Sequence, residues 1–209
     1  MERQLILAIG REYGSGGHDV AELLSARFGL KLYDRELLAL IAQENQVDEK
    51  DLEWYDEQRS SRLFFRRVNG FDNSPSANIA LMQFDYIRRR AEEGESFVVV
   101  GRCGEEVLRG RPGLISVFIL ADREFRLTRV MAERGTARAE ADALIVRTDR
   151  RRRAYHDQHC GGRWGDARSY DLCINSARLG IEGTADLLEC YIKARNREEM
   201  PEGQTWCDT

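Results

Sequence analysis

No apolar stretch in this 209-residue chain approaches the about 20 residues that a membrane-spanning helix needs. Internal repeats and low-complexity segments are absent as well. The formal net charge is −4, so the chain has no overall positive charge with which to attract nucleic acid or an anionic membrane. Its N-terminus enters a strand pattern directly, without the features of a signal peptide. We therefore expect a cytoplasmic protein without nucleic-acid or membrane partners.

Cysteine pairs of the form C-x-x-C are also missing, and the number of cysteines, five, is odd. This usage fits reduced thiols in the cytosol better than a disulfide framework or a zinc site. The three histidines show no spacing typical of metal ligands, so their positions identify no metal site. The cysteines are Cys103, Cys160, Cys173, Cys190 and Cys207.

Short apolar runs separated by helical patterns predict an α/β fold with crossover connections. Buried parallel strands are predicted at 5–9, 97–100, 115–120 and 172–174, with a weaker one at 30–33. Helices are predicted after the first strand and at 35–42, 52–68, 79–93, 123–134, 139–153 and 181–195, with a loop at 69–78.

The length favours one domain, residues 1–195, followed by a polar tail at 196–209. The insertion at 35–95 is large for a plain crossover, and the segment 135–169 protrudes before the last strand. Two protrusions at the carboxyl ends of a parallel sheet are suited to close over a ligand. We interpret 35–95 as an acceptor-binding arm and 135–169 as a lid.

The most informative segment passes from the first strand through a glycine-rich turn into an amphipathic helix. Such a turn directs backbone N–H groups and a helix N-terminus at one point, which binds phosphate. Alignment with the phosphate-loop pattern G-x-x-x-x-G-K-[ST] puts Gly17 at the lysine, His18 at the hydroxyl residue and Arg11 at the first glycine. A turn whose glycines serve only tight packing is the alternative. The candidate phosphate-binding residues are Gly14, Ser15, Gly16, Gly17 and His18.

Arginines supply the second part of the predicted site. Arg102 follows a glycine at a strand end, where its forked guanidinium would clamp a second phosphate. In the lid, the run from Arg150 to Arg153 follows Asp149, and such arginines stabilise charge in phosphoryl transfer. Helical geometry turns Arg150 and Arg151 to one face and the other two elsewhere, so only some can meet a ligand. A solvated basic face is the alternative, and contact with nucleic acid is disfavoured by the net charge.

Other candidates have two interpretations each. Asp34, at the end of the second strand, either caps the next helix or orients a nucleotide or a cation. In the lid, Tyr155, His156, His159 and Trp164 either stack on a base or pack the lid shut.

Seven motifs, taken in order along almost the whole chain, resemble those of the cytidylate kinase-like family. The motifs are Ile9-Gly-Arg-Glu-Tyr-Gly-Ser-Gly-Gly-His, Leu32-Tyr-Asp-Arg-Glu-Leu-Leu, Val99-Val-Gly-Arg-Cys, Val117-Phe-Ile-Leu-Ala-Asp, Thr148-Asp-Arg-Arg-Arg, Arg163-Trp-Gly-Asp and Tyr170-Asp-Leu-Cys-Ile-Asn-Ser.

The resemblance implies a P-loop NTPase fold: a parallel five-stranded sheet flanked by helices, with an acceptor-binding arm and a lid. It implies transfer of the γ-phosphoryl group of ATP to CMP or dCMP with Mg²⁺. By position, the glycine turn would hold ATP phosphates and Arg102 would grip the phosphate of the acceptor. Asp149 with Arg151 or Arg152 would lie in the lid beside the nucleotides, and Asp34 is a further nucleotide-binding candidate.

Three positions depart from the family pattern: Gly17 replaces the lysine, His18 replaces the small or hydroxyl residue, and Cys103 replaces an aspartate. The missing charge would then come from Arg11, from protonated His18 or from a lid arginine. Magnesium would be left with Ser15, Glu12 and Asp19 as weak candidate ligands. Two alternatives therefore remain open. The first is a nucleotide-binding sensor or partner module with little or no catalysis, and the second is a kinase for another small molecule.

Overall fold

The computed structural model describes residues 4–34, 36–45 and 75–196. The chain divides into two units, one made of Met1–Leu32 with Ser96–Thr209 and the other of Tyr33–Glu95. The first unit carries the glycine turn and the arginine run. The described part of the second unit carries two helices, Leu37–Asn45 and Pro75–Glu92.

Five strands form a single sheet, which confirms the predicted α/β P-loop fold. The first strand lies at the centre of the sheet, and its pairings with both neighbours are parallel. The carboxyl ends of these parallel strands therefore meet at one edge of the sheet. The strands are β1 (Ile6–Arg11), β2 (Lys31–Tyr33), β3 (Phe97–Val100), β4 (Leu114–Leu120) and β5 (Leu172–Asn175), in the order β2-β3-β1-β4-β5.

The central strand β1 extends two residues beyond the predicted end at Ile9. Gly10 and Arg11 continue its pairing with β4, opposite Phe118 and Ile119. Arg11 therefore belongs to the sheet and not to the loop that follows it. Its pairing with β4 holds the Cα atom from which its side chain extends.

Seven α-helices occur in the described part of the chain. The first helix ends at a glycine cap, since Gly29 adopts φ 62° directly after Phe28. The helices are α1 (Gly17–Phe28), α2 (Leu37–Asn45), α3 (Pro75–Glu92), α4 (Gly104–Val107), α5 (Arg123–Arg134), α6 (Arg138–His159) and α7 (Ser176–Asn196).

Several predicted helix bounds are wrong. Helix α3 begins at Pro75, inside the predicted loop, because proline is favoured at the first helical position. Helix α6 continues to His159, six residues past its predicted end at Arg153. Helix α7 begins at Ser176 and is kinked at Gly180, where φ is 70°. The predicted helix at 52–68 and the tail from 197 onward lie outside the described residues.

The core of the first unit lies between the sheet and helices α1 and α7, which pack against each other. Val20 and Leu24 of α1 and Leu188 of α7 are fully buried there. This packing holds the N-terminus of α1 against the carboxyl end of β1. Among the helices that the structure describes, none combines the length and the apolar character needed to cross a membrane.

Candidate active site

The turn between β1 and α1 bends through two glycines in the left-handed region. Gly14 has φ 79° and Gly16 has φ 74°, a conformation that side chains rarely adopt. At Gly16 a Cβ atom would also overlap with Cδ1 of Ile181. Helix α1 begins at the next residue, so its unpaired N–H groups lie at the turn. This strand–turn–helix geometry is typical of phosphate-binding loops.

Arg11 and Gly17 lie against each other across the turn. A Cβ atom on Gly17 would be 2.6 Å from Cβ of Arg11 and 3.1 Å from its Cγ. The nearer atom is fixed by the β1 backbone, so it cannot move away as the end of a flexible side chain would. The Arg11 guanidinium extends to Gly101, where its Nη1 occupies the space of a Cβ atom. Arg11 thus fills the space beside the lysine position and carries a positive charge.

The remaining loop residues are held by hydrogen bonds within the first unit. The hydroxyl of Ser15 donates to the carbonyl oxygen of Glu12 at 2.9 Å. The hydroxyl of Ser176 donates to the carbonyl oxygen of Ser15 at 2.6 Å, so the start of α7 supports the turn. Oε2 of Glu12 accepts from the backbone N–H of Ala121 at 3.2 Å. The loop is therefore a rigid element.

Asp149 of α6 braces the same loop from outside. Its Oδ1 accepts from the backbone N–H of Tyr13 at 2.8 Å, and its Oδ2 pairs with the guanidinium of Arg126. Arg126 is buried, and it also contacts Glu12 at 3.1 Å and donates to the carbonyl oxygen of Tyr13 at 2.7 Å. The structure thus places Asp149 at the loop, where it holds the backbone in position.

Within the arginine run, only Arg152 turns toward the loop. Its Nη1 donates to the carbonyl oxygen of Arg11 at 3.1 Å, and its Cζ lies 5.6 Å from the centre of the Tyr13 ring. Burial lowers the pKa of Arg152 to about 10. It forms no ion pair with a carboxylate of the described residues, so an anion at the loop would relieve the cost of burying its charge.

The other arginines of the run face away from the loop. Arg150 and Arg151 are exposed, and Arg153 lies over the ring of Trp164 with its Cζ 5.6 Å from the ring centre. Trp164 itself packs edge-on against Phe118, with ring centres 5.2 Å apart. The structure thus favours packing over base stacking for this aromatic residue.

Arg102 lies on a turn with an unusual backbone. Gly101, Arg102 and Cys103 have φ values of 75°, 55° and 52°, three successive left-handed residues after β3. For residues other than glycine this conformation costs about 1–3 kcal/mol each, and such strain is common at functional sites. Since the Arg11 guanidinium lies at Gly101, the turn brings Arg11 and Arg102 to the same edge of the sheet.

Two further candidates have identified partners. His18, on the first turn of α1, lies 3.3 Å from Glu22, one helical turn away. In the second unit, Oδ1 of Asp34 accepts from the backbone N–H of Glu36 at 3.0 Å, which forms an Asx turn shortly before α2 begins at Leu37.

The candidate magnesium ligands do not form a dedicated metal site. Ser15 donates its hydroxyl proton to the backbone, Glu12 pairs with Arg126, and the carboxylate of Asp19 lies 2.7 Å from Arg129. Magnesium usually relies on a few protein oxygens together with the phosphates of its nucleotide. The side chains of Glu12 and Asp19 are thus already paired with arginines.

Sequence reasoning missed a buried cluster made of Cys103, Glu105, His156 and Cys160. Nε2 of His156 lies 2.9 Å from Oε1 of Glu105, and both side chains are buried. Hydrogen bonds from Cys103 and His156 hold the pKa of Cys160 below its ordinary value, although burial opposes this. Burial lowers the pKa of His156, but hydrogen bonds with Cys160 and Glu105 outweigh it and raise that pKa to about 10. The four-residue spacing from His156 to Cys160 was the available signal.

Comparison with known proteins supports the fold. The model of the cytidylate kinase-like family matches residues 6–178. A crystal structure of an uncharacterized protein from Eubacterium ventriosum is 36% identical, with a TM-score of 0.74, covering 92% of this chain and 100% of that one. No curated protein sequence matches the chain.

Two more distant crystal structures show the same fold. Shikimate kinase from Acinetobacter baumannii in complex with shikimate is 13% identical with a TM-score of 0.54, over 93% of this chain and 96% of that one. Shikimate kinase from Bacteroides thetaiotaomicron is 12% identical with a TM-score of 0.53, over 90% and 98%.

Proposed function

The chain belongs to the cytidylate kinase-like family, and on that premise we propose that it is a P-loop nucleoside monophosphate kinase. The proposed reaction transfers the γ-phosphoryl group of Mg-ATP to CMP or dCMP, giving ADP and the nucleoside diphosphate. Catalysis of this kind depends on positioning and on charge stabilisation, and it needs no covalent intermediate.

The observation that carries the proposal is the contact between Arg11 and Gly17. A phosphate loop without its lysine lacks the cation that binds the β- and γ-phosphates. Here a guanidinium from β1 fills the space beside that position and extends along the carboxyl edge of the sheet. In our proposal Arg11 takes over the electrostatic role of the lysine.

The other residues have separate roles in this proposal. The glycine turn, Gly14 to His18, binds the phosphates of ATP through backbone N–H groups, with the His18 side chain at its edge. Arg152 approaches from α6 and stabilises charge on the transferring group, and Arg102 grips the phosphate of the acceptor. Asp149 keeps the loop and Arg126 in place.

Four assignments rest on the sequence pattern alone. Residues 35–95 would form the acceptor-binding arm, and residues 135–169 the lid. Arg151 would reach the nucleotide only through movement of the lid, since its side chain is exposed. Asp34 would contact the nucleotide through its carboxylate.

The absence of a lysine at position 17 also favours a second candidate function, which is that of a nucleotide-binding protein with little or no turnover. Loss of one preorganised group that stabilises transition-state charge costs about 3–4 kcal/mol in other enzymes, and the missing lysine is a group of this kind. If Arg11 binds ATP without stabilising the transition state, the protein would act as a sensor. A kinase for another small acceptor is the third candidate.

A coupled assay of ADP release with Mg-ATP distinguishes these candidates. The acceptor panel contains CMP, dCMP, UMP, AMP and shikimate, with a control that omits the acceptor. Turnover that depends on CMP or dCMP supports the proposal, and turnover with another acceptor supports the third candidate. ATP binding by calorimetry, with no turnover across the panel, supports the sensor. Absence of both binding and turnover contradicts nucleotide chemistry at this loop.

A further inference from the structure

We propose that Cys103, Glu105, His156 and Cys160 together form a binding site for one zinc ion. A carboxylate oxygen of Glu105, a ring nitrogen of His156 and the Sγ atom of Cys160 all lie within 4.8 Å of one another. The thiol of Cys103 is hydrogen-bonded to that of Cys160, which adds a fourth donor. The site lies within the first unit, and its four side chains are not among the proposed phosphate-binding residues, although Cys103 directly follows Arg102.

The chemistry of the donors selects the class of metal. Thiolate and imidazole ligands suit zinc and related transition metals, whereas calcium and magnesium take oxygen ligands. Cysteine sulfur, histidine nitrogen and carboxylate oxygen are all zinc ligands, and four of them suffice for the tetrahedral coordination that zinc prefers. The donors are also shielded from solvent, since Cys103, Glu105 and His156 expose only 5–6% of their surface.

The distances require only small side-chain movements. Tetrahedral zinc with bonds of about 2.0–2.3 Å places neighbouring ligand atoms about 3.3–3.8 Å apart. In the structure Nε2 of His156 and Oε1 of Glu105 are 2.9 Å apart, so an ion between them would separate them slightly. The distances from Sγ of Cys160 to these two atoms, which are at most 4.8 Å, would contract by about 1 Å, and the Cys103 thiol, hydrogen-bonded to Cys160, would turn to complete the set.

The ligands come as two local pairs on rigid backbone. His156 and Cys160 are one helical turn apart, and the N–H of Cys160 donates to the carbonyl oxygen of His156 at 2.8 Å. Residues at this spacing share one face of a helix. Cys103 and Glu105 flank Gly104, where a Cβ atom would be 2.8 Å from Val99. Each pair is therefore presented in a fixed orientation.

The surroundings of the cluster resemble a second coordination shell. The hydroxyl of Tyr170 donates to Oε1 of Glu105 at 3.3 Å, which orients the carboxylate. Nδ1 of His156 is buried without a hydrogen bond in the described part of the chain, and Oδ1 of Asp157 lies 3.6 Å from it. Imidazoles that ligate zinc usually direct their second nitrogen toward a carboxylate or a carbonyl group.

A plain ion pair between Glu105 and His156 explains only half of the cluster. It gives no reason for two cysteines, brought together from residues 103 and 160, to meet at the same point. A bound zinc ion uses all four side chains. It would also join the strained turn that carries Arg102 to the end of α6, the helix that carries Arg152.

The test is a zinc titration of the full chain after treatment with EDTA under reducing conditions. Zinc per chain is measured by mass spectrometry, and affinity by competition with a coloured chelator. The variants Cys160→Ser and Cys103→Ser remove ligands, while Cys173→Ser and Cys190→Ser remove exposed thiols as matched controls. Cobalt replaces zinc in a parallel experiment, because its absorption spectrum reports thiolate ligation in tetrahedral geometry.

We expect about one zinc ion per chain in the unmodified protein and in both controls. Cys160→Ser should weaken binding by more than about 100-fold, since loss of second-shell partners alone costs about 10–100-fold. Weak binding that is equal in all variants, or binding lost equally in Cys190→Ser, would overturn the proposal. A Cys103–Cys160 disulfide in protein that takes up no zinc after reduction would also overturn it. If the ligand variants fail to fold, the cobalt spectrum of the unmodified protein tests whether cysteine thiolates ligate the metal. A spectrum without thiolate bands would overturn the proposal.

Discussion

Arg11 and Gly17 are mutually constrained, because the side chain of the first fills the space that a side chain on the second would need. The arginine comes from the last position of β1 and the glycine from the first position of α1. Neither residue is informative alone. Together they account for a phosphate loop that lacks lysine and still has a cation beside the lysine position.

Replacing Arg11 tests whether it is that cation. We expect Arg11→Ala to lower kcat by about 10²–10³, the range seen when one charge-stabilising donor is lost. The matched control is Arg109→Ala, which removes an exposed arginine of the same unit. Kinetics of the coupled assay give the readout, and thermal unfolding shows that both variants are folded. Equal activity of the two variants would exclude a role for Arg11 in phosphoryl transfer.

Restoring the lysine tests the steric relationship directly. Gly17→Lys alone should destabilise the protein by about 1–3 kcal/mol, because the new Cβ atom overlaps with Arg11. The double variant Arg11→Gly, Gly17→Lys removes the overlap and supplies a cation from α1. We expect it to recover stability in urea unfolding and to bind ATP. Additive effects of the two substitutions would show that the residues do not constrain each other.

Arg152 is expected to be the active member of the arginine run. Arg152→Ala should weaken ATP binding or turnover by about 10–100-fold, since it removes a buried cation at the loop. Arg150→Ala removes an exposed neighbour and should change these values by less than about 2-fold. Calorimetry with ATP and the coupled assay measure both. A larger loss in Arg150→Ala would show that the lid presents another face to the nucleotide.

The contacts of Asp149 with Tyr13 and Arg126 should contribute measurably to the free energy of unfolding. Asp149→Asn leaves the buried charge of Arg126 with Glu12 as its ion-pair partner, and we expect a loss of roughly 2–4 kcal/mol in the free energy of unfolding. Asp142→Asn breaks an exposed ion pair on the same helix and should cost at most about 1 kcal/mol. Urea unfolding compares them, and similar losses would contradict the bracing role.

Asp171 should make stability depend on pH. Burial raises its pKa, but hydrogen bonds from the Ser116 backbone, Arg195 and the Ser116 hydroxyl outweigh this and hold the pKa below its ordinary value. A carboxyl group whose pKa is lowered by folding stabilises the protein above its unfolded pKa of about 3.9. That contribution is lost as pH falls through the lower, folded pKa.

The variant Asp171→Asn isolates this contribution. The difference in unfolding free energy between the unmodified protein and the variant should be constant between pH 7 and pH 5 and shrink below about pH 4. Urea unfolding at a series of pH values measures it. A difference that stays the same down to pH 3 would mean that Asp171 does not act through its charge.

Much of the fold was predictable because the apolar strand runs and the glycine turns are local signals. The strand positions and the parallel five-stranded sheet were predicted from these runs and from the family resemblance, whereas the order of the strands was not. Helix bounds were less predictable where contacts between distant parts of the chain determine them. Helix α6 passes Arg153 because His156 packs into a buried cluster, which no local pattern announced. The start of α3 was missed because the proline was interpreted as part of a loop.

The candidate site divides in the same way. The glycine turn and Arg102 were recognisable from short motifs. By contrast, the choice of Arg152 from a run of four arginines depends on how α6 packs against Tyr13. The cysteine and histidine cluster was overlooked because its two halves are 51 residues apart between Glu105 and His156. Short sequence motifs do not indicate contacts between residues that are this far apart in the chain.

The hydrogen bond from Ser176 to the carbonyl oxygen of Ser15 spans 161 residues and has a consequence for synthesis. Ser176 is synthesised 161 residues after Ser15, so the loop is made well before the residue that supports it. At typical elongation rates that interval is roughly 10–30 s. The neighbours of β1 in the sheet, β3 and β4, are made within this interval, so the loop would receive its support from Ser176 only after the strands on both sides of β1 have been made.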